Sequence, residues 1–228
     1  MKKIIFGIFA HPDDEAFGPS GALLMETKAG AELHLITLTS GQAGTNPDNH
    51  PDLGTLRTQE WHTAGTLLGA TSMHALGFKD GQLDNASLLE AAQRIESIVS
   101  EVLAQHHSNL EIEFMTMDTN GITGHIDHIV ASRAALLAFY RLKEKDSRLT
   151  RIRLACLPLS VMPTADITWL FADAGRPNDE IDEIVDARHL RDEIITVMRA
   201  HHTQRADYQT NLARQGEMLG MNYFIVKS

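Results

Sequence analysis

Apolar residues recur along this chain in blocks whose length and spacing predict strands and helices in alternation. Residues 4–10 are apolar throughout, which is typical of a strand buried on both faces of a sheet. The predicted strands span 4–10, 33–38, 73–76, 112–117 and 152–157, and the predicted helices span 20–28, 56–68, 88–103 and 126–140. This repetition predicts an α/β fold, a Rossmann-like three-layer sandwich with a mainly parallel sheet and helices on both faces.

The pattern is less regular after Pro158. It predicts a loop to about residue 179, a short strand at 184–185, helices over 190–201 and 205–219, and an edge strand over 223–226. The sequence contains no internal repeat, low-complexity segment or linker, so we expect a single domain over residues 1–228.

Clusters of polar side chains follow four of the predicted strands. They lie at residues 11–15, 40–46, 77–84 and 118–128. In a parallel sheet, ligands bind beyond the carboxyl ends of the strands, near the point where the strand order reverses. We therefore expect these four loops to form one composite site at a single rim of the sheet.

Composition and charge exclude several partners. The formal net charge of −10 comes without a basic stretch, which argues against a surface that binds nucleic acid. No segment approaches the ~20 apolar residues that span a bilayer, and the apolar start of the chain runs into acidic residues without a cleavage site. We expect a cytoplasmic protein with no membrane partner. The single cysteine, Cys156, excludes an intramolecular disulfide and is predicted to be a buried thiol.

The first polar cluster, residues 11–15, has the sequence HPDDE. Neighbouring carboxylates raise one another's pKa unless a cation or a hydrogen-bond donor compensates them, and a divalent metal provides that compensation. Pro12 fixes its own φ and stiffens the turn that carries the flanking groups. The alternative is a solvated acidic turn that caps the following helix.

The second cluster, residues 124–128, has the sequence GHIDH and lies where a polar loop meets a predicted helix. His125 and His128 are three residues apart, which places them on one face of a helix. By itself this cluster could be a capping arrangement on a wet surface.

Together, the two clusters predict a catalytic metal site. His11, one aspartate and His128 would supply two imidazoles and one carboxylate, leaving a position open for water, as catalytic zinc sites require. A remaining carboxylate can take a proton from that water, and a remaining imidazole can stabilise the oxyanion or protonate the departing amine. Asp127 is available to orient His125.

The run AHPDDE at residues 10–15, after a short N-terminal strand, resembles the signature of the PIG-L/LmbE-like family of zinc-dependent N-acetylglucosaminyl deacetylases. The later GHIDH is similar to that family's second motif, in which His, any residue, Asp and His open a helix. Chain length and motif order also fit, so the resemblance covers nearly the whole sequence.

The resemblance implies a zinc site made of His11, Asp14 and His128, with Asp13 as the general base. It further implies that His125 stabilises the oxyanion or acts as the acid, with Asp127 holding its orientation. Whether Asp13 or His125 is the acid stays open. Glu15 is expected to support the turn. Iron(II) could occupy the same ligands, because imidazole and carboxylate do not select zinc alone.

Further segments that resemble the family imply substrate contacts from Gln42, Arg57, Asp80 and His201. Arg57 would reach hydroxyls or an anionic group of the substrate, and the alternative is a surface salt bridge with Glu60. For Asp80, His201 and Gln204, the alternative is a structural hydrogen bond.

These expectations together describe a zinc-dependent hydrolase that deacetylates a small polar N-acylated substrate, an N-acetylglucosamine conjugate by the resemblance. One alternative is a metal-dependent amidase or esterase that acts on a non-sugar substrate. Another is a metal- or sugar-binding module without catalysis. The family is also compatible with a homo-oligomer.

Overall fold

The computed structural model of the protein describes residues 2–106, 110–161 and 175–228. Its strands are β1 (Lys2–Phe9), β2 (Glu32–Thr39), β3 (Ala70–Phe78), β4 (Leu110–Met117), β5 (Leu149–Cys156), β6 (Glu183–Asp186) and β7 (Met221–Lys227). Within these ranges they form one seven-stranded sheet in the order β3-β2-β1-β4-β5-β7-β6. The first five strands are parallel to one another, and β7 is antiparallel to both of its neighbours.

Helices cover both faces of this sheet. They are α1 (Asp14–Phe17), α2 (Ser20–Lys28), α3 (Leu53–Leu68), α4 (Asn85–Leu103), α5 (Gly121–Gly124), α6 (Ile126–Lys143), α7 (Arg191–Ala200) and α8 (Arg205–Gln215). α4 and α6 pack on one face, and α2, α3 and α7 pack on the other. The predicted three-layer α/β architecture is confirmed.

The central strand β1 shows why the sheet needs helices on both sides. Its side chains point alternately to the two faces, so that Phe6 and Ile8 enter the core under α4 and α6, whereas Ile5 and Phe9 enter the core under α2 and α3. All four are almost completely buried. An uninterrupted apolar run is therefore the sequence pattern that a doubly covered strand requires.

Two helices begin earlier than their apolar spacing predicted, because an aspartate caps each one. The Asp52 carboxylate accepts a hydrogen bond from the Thr55 amide, and α3 begins at Leu53. The Asp84 carboxylate does the same with Ser87, and α4 begins at Asn85. Such side chains satisfy amides that have no partner within the helix.

The C-terminal part corrects two predictions. Residues 223–226 belong to β7, which lies between β5 and β6, so the prediction of an edge strand is wrong and β6 forms that edge. The helix predicted to reach residue 219 is wrong in its end, because α8 ends at Gln215. The next residue, Gly216, has a φ of 50°. Most of the loop predicted for 158–179 lies outside the described residues. Inside them, Leu159–Val161 and Asn178–Glu180 form single 3₁₀ turns.

Two further expectations concern solvent and membrane. Cys156 is buried, as predicted, and burial raises the pKa of its thiol to about 12, so it is not a thiolate at neutral pH. Among the helices in the described ranges, none has the length and apolar character to cross a bilayer. The single domain over residues 1–228 stays a prediction.

The topology fixes where a site can form. β1 pairs with β2 on one side and with β4 on the other, so the strand order reverses at β1. The carboxyl end of β1 is the position where ligands bind in such sheets. Residues 11–15 follow this end directly.

Candidate active site

The turn after β1 is held by the side chain of Asp14. One of its oxygens, Oδ2, accepts hydrogen bonds from the Ala10 amide at 3.1 Å and from the His11 amide at 3.0 Å. Asp13, which has a φ of 124°, adopts a conformation that is uncommon for a residue other than glycine. Backbone strain of this kind clusters at functional sites.

Three side chains meet beyond this turn with the spacing of a metal site. The His11 Nδ1 and His128 Nε2 atoms are 3.1 Å apart, and His128 Nε2 is 3.1 Å from Asp14 Oδ1. His11 Nδ1 lies 3.8 Å from Asp14 Oδ2. Ligands at about 2.0 Å from a tetrahedral zinc ion lie roughly 3.3 Å from one another. The three residues therefore fit zinc as a donor set.

The other ring nitrogens of both histidines are engaged in a way that leaves these atoms free to bind a metal. His128 Nδ1 donates to the Gly121 carbonyl at 3.2 Å. His11 Nε2 donates to Asp80 Oδ1 at 3.0 Å and to Asp127 Oδ2 at 3.3 Å. Such partners fix the tautomer and the orientation of metal-binding imidazoles.

The neighbouring charges of the cluster shift the pKa values of its members. Burial alone would lower the pKa of His11, but hydrogen bonds to Asp127 and Asp80 raise it to about 10. Burial alone would raise the pKa of Asp14, but His128 lowers it below its usual range. His11 Nδ1 and His128 Nε2 lie 3.1 Å apart. Without a divalent cation, these two nitrogens would share protons with Asp14. A bound cation would take the place of those protons.

The partner of Asp127 differs from the expectation. Its carboxylate contacts His11 and accepts the backbone amides of Gly81 at 2.7 Å and Leu83 at 3.3 Å. The interaction with His125 is made instead by the backbone of Asp127, whose N–H donates to His125 Nδ1 at 3.2 Å. The prediction that its carboxylate orients His125 is therefore wrong, because that carboxylate supports His11.

A second possible set of metal donors contains His11, Asp80 and Asp127. It would use the other nitrogen of the same imidazole, Nε2. The carboxylates in this set already accept backbone amides, including that of Ala43 at 2.8 Å. These contacts explain Asp80 and Asp127 as supports of His11, which corresponds to the structural alternative considered for Asp80.

Asp13 lies beside the metal-type cluster but pairs with Arg57. The Nη2 atom of Arg57 donates to Asp13 Oδ2 at 2.8 Å and to the Pro12 carbonyl at 2.6 Å, and Nη1 donates to the Gly41 carbonyl at 2.7 Å. The alternative interpretation of Arg57, a surface salt bridge with Glu60, is wrong, because Arg57 is buried and points to the turn. Burial raises the pKa of Asp13 to about 6, and Arg57 opposes that rise.

His125 stands on the other side of the cluster. Its ring is stacked on that of His128, with centroids 4.8 Å apart, and meets His11 edge-on at 5.0 Å. Burial lowers the pKa of His125, and the neighbouring histidines lower it further, so the ring is neutral. Because Nδ1 accepts the Asp127 amide, the ring proton resides on Nε2, which can donate to an oxygen of a ligand.

His201, which follows α7, supports the turn at residues 11–15 through Glu15. His201 Nε2 contacts Glu15 Oε1 at 2.7 Å, and Glu15 Oε2 accepts the Asp13 amide at 3.2 Å. His201 has an exposed fraction of 0%, so its prediction as a substrate contact is wrong. The expected supporting role of Glu15 agrees with these contacts.

A cavity of about 750 Å³ opens onto the cluster. Its lining includes Asp13, Arg57, Asp80 and His125, together with Gln204. Gln42 is not part of this lining. Its Oε1 accepts a hydrogen bond from the Ser40 hydroxyl at 2.7 Å, and its side chain borders a separate depression, so the predicted substrate contact of Gln42 stays a prediction.

Sequence reasoning missed one wall of the cavity. Four polar residues of α8 line it, at positions that repeat every three or four residues: Asp207, Thr210, Asn211 and Arg214. This spacing places them on one helical face. The signal was present in the sequence, but polar helix faces usually meet solvent.

Comparisons with known proteins agree with this geometry. Residues 6–139 match the PIG-L family model, described as GlcNAc-PI de-N-acetylase. A probable N-acetyl-alpha-D-glucosaminyl L-malate deacetylase 2 of Bacillus subtilis (strain 168) is 25% identical over 209 residues, which cover 90% of this chain and 84% of that protein. A 1D-myo-inositol 2-acetamido-2-deoxy-alpha-D-glucopyranoside deacetylase of Acidothermus cellulolyticus is 27% identical over 246 residues, covering 90% of this chain and 81% of that protein.

Solved structures show the same fold. The N,N'-diacetylchitobiose deacetylase from Pyrococcus horikoshii superimposes with a TM-score of 0.65 at 17% sequence identity. The match covers 99% of this chain and 83% of that protein. At this level of identity the likeness concerns the arrangement of strands and helices.

Proposed function

Because the chain belongs to the PIG-L family, we propose that it is a zinc-dependent hydrolase that removes the acetyl group from an N-acetylglucosamine conjugate. The observation that carries the proposal is the set of His11, Asp14 and His128 at the cavity, with a carboxylate on one side and a neutral imidazole on the other. The deacetylases among its relatives support the same reaction.

His11, Asp14 and His128 would hold the metal. When bound, zinc supplies a Lewis acid that polarises the acetamide carbonyl and lowers the pKa of a water molecule towards ~7. Iron(II) fits the same donors. The carboxylates of Asp80 and Asp127 keep His11 in the orientation that this role requires.

Asp13 would act as the general base. Its carboxylate lines the cavity beside the metal ligands, and Arg57 fixes it through the hydrogen bond at 2.8 Å. A base is most effective when its pKa lies near the working pH, and burial brings Asp13 closer to that range. It takes a proton from the attacking water as the new C–O bond forms.

His125 would stabilise the oxyanion that develops on the carbonyl oxygen. The neutral ring donates a hydrogen bond through its Nε2–H. Because the pKa of His125 is lowered, the ring carries no additional proton that it could give to the amine. The departing amine then receives the proton that Asp13 accepted. Asp13 is therefore both base and acid in this proposal, and the C–N bond breaks to leave acetate and a free amine.

The test is a panel of N-acetylglucosaminides, unrelated N-acetyl amides and acetate esters, each assayed for acetate and for the product amine. The proposal expects stoichiometric acetate and amine from the glucosaminides. Turnover confined to non-sugar amides or esters would instead support the alternative of a general amidase or esterase. Binding without turnover of any member would support a non-catalytic module. The cytoplasmic location and the homo-oligomer stay predictions of the sequence.

A further inference from the structure

The polar wall of the cavity comes from α8, which lies outside the matched residues 6–139. Tyr208 and Leu212, four residues apart, pack against the core between α2, α3 and α7. That contact turns the neighbouring stripe of α8 towards the cavity, which it lines with Asp207, Thr210, Asn211 and Arg214. The candidate metal ligands all lie in the matched part of the chain, whereas this wall of the cavity does not.

The two ends of this stripe lie at different distances from the catalytic turn. Burial raises the pKa of Asp207, and the positive charge of Arg57 opposes that rise, so this end of α8 lies close enough to Arg57 to be affected by its charge. Gln204, just before α8, donates to the Thr45 carbonyl at 2.9 Å in the loop after β2. Arg214 follows Asp207 by seven residues, about 10 Å along the helix axis. Arg214 therefore lines the cavity about two helical turns beyond Asp207.

Arg214 is held with most of its donors available. Its Nη2 atom donates to Asn211 Oδ1 at 2.6 Å, which uses one of the five N–H groups of a guanidinium. Across residues 2–106, 110–161 and 175–228, its side chain forms no ion pair. Arg57, the other arginine of the cavity, instead directs both of its terminal nitrogens to Asp13 and two backbone carbonyls. A guanidinium fork of this kind matches the planar geometry of a carboxylate.

We propose that Arg214, positioned by Asn211, binds a carboxylate on the aglycone of the substrate, so that the preferred substrates are N-acetylglucosaminides of small hydroxy acids. The inference rests on the proposed function, because it assumes that the acetamide lies at the metal cluster. The cavity of about 750 Å³ has room for such a conjugate. The malate conjugate in the name of the Bacillus subtilis relative belongs to this class.

The experiment compares two substrates that share the reacting sugar. N-acetyl-α-D-glucosaminyl L-malate carries the carboxylates, and methyl N-acetyl-α-D-glucosaminide does not. Arg214→Gln is expected to lower kcat/KM for the malate conjugate by about 10- to 100-fold, the range for a hydrogen-bonded charge, mainly through KM. The loss on the neutral glycoside should be smaller by about fivefold or more. Arg214→Lys keeps the charge without the fork and should recover part of the loss.

Arg205→Gln is the matched control, because Arg205 lies on the same helix but pairs with Asp48 outside the cavity. Its kcat/KM should equal that of the wild type for both substrates. An equal loss by Arg214→Gln on both substrates, or no loss, would overturn the subsite while leaving the deacetylase intact. If neither substrate releases acetate, the proposed function fails. Calorimetry with the malate conjugate then tests the subsite separately. A Kd that is higher in Arg214→Gln but not in Arg205→Gln supports the subsite, and an unchanged Kd overturns it.

Discussion

The guanidinium of Arg57 donates to the carboxylate of Asp13 across 2.8 Å, inside the turn that also carries the candidate metal ligands. The same Nη2 atom donates to the Pro12 carbonyl, so one side chain fixes both the backbone and the charge of the proposed base. Asp13 is buried, and a buried carboxylate without a cation would favour its protonated form. The pair therefore keeps a base usable at neutral pH.

Arg57→Gln should move the acid limb of the kcat/KM profile to higher pH. Removing the positive charge lets burial raise the pKa of Asp13 further, and the shift expected for losing one close opposite charge is about one pH unit or more. The base is then more protonated at pH 7, so turnover there falls. Arg133→Gln, an exposed arginine of α6, serves as the control. An acid limb that stays in place in Arg57→Gln would contradict the role of this pair.

Gly121→Ala should weaken zinc binding by about 10- to 100-fold, the usual cost of disturbing a group that orients a metal ligand. The Gly121 carbonyl accepts a hydrogen bond from His128 Nδ1. Gly121 has a φ of 72°, and a Cβ added to it would lie 2.9 Å from Ile129 Cγ1. Gly216→Ala is the control, because Gly216 has a φ of 50° but open space around it. Competitive zinc titrations against a coloured chelator measure both. Equal zinc affinities in the two variants would contradict the role of the Gly121 carbonyl in orienting His128.

The first part of this site follows from the sequence because its residues are close together in the chain. Two short motifs carry the proposed ligands, and β1 brings the first of them to the switch point of the sheet. The contacts of Asp127 with His11 and of Glu15 with His201 join residues 116 and 186 positions apart, and no local pattern specifies them. The helical face of Asn211 and Arg214 was equally consistent with solvent.

Element positions show the same division. Strands with uninterrupted apolar runs, such as β1 and β4, were predicted nearly to their ends, because burial on both faces leaves a strong signal. The short helix α1 was missed, since its acidic first turn is organised by hydrogen bonds in the folded site. The position of β7 between β5 and β6 depends on pairing across the whole C-terminal region, which periodicity does not encode.

Glu113→Gln should lower the free energy of unfolding by about 3 kcal/mol or more, the range for removing one partner of a buried ion pair. Glu113 is completely buried and contacts Lys3 at 2.9 Å, Arg151 at 3.1 Å and Arg153, which is itself 1% exposed. Glu183→Gln is the control, because that side chain is partly exposed at the edge of the same cluster and should cost less than about 1 kcal/mol. Urea denaturation of both variants gives the comparison. A Glu113→Gln protein as stable as Glu183→Gln would show that the cluster contributes little.

His34 should make the fold less stable as the pH falls below about 6.5, its unperturbed value. The ring is buried between Ser72, at 2.7 Å, and Glu32, at 3.1 Å, and burial lowers its pKa although Glu32 opposes this. The unfolded chain therefore binds a proton before the folded one does, and stability is lost between the unfolded and the folded pKa.

The measurement is the free energy of unfolding from pH 7.5 to 5.5 for the wild type, His34→Gln and the exposed control His62→Gln. Relative to the wild type, His34→Gln should lose less stability towards low pH, whereas His62→Gln should follow the wild type. Parallel curves for all three proteins would assign the pH dependence to other groups.

The most direct test of the catalytic account measures zinc content and acetate release on the same preparations of wild type, Asp13→Asn and Asp14→Ala. The wild type should hold about one zinc per chain and lose its activity with the metal. Asp13→Asn should keep the zinc and turn over at least ~10²-fold more slowly, because it lacks only the base. Asp14→Ala should lose zinc affinity. A metal-free wild type with full activity, or an Asp14→Ala protein that binds zinc as tightly as the wild type, would contradict the account.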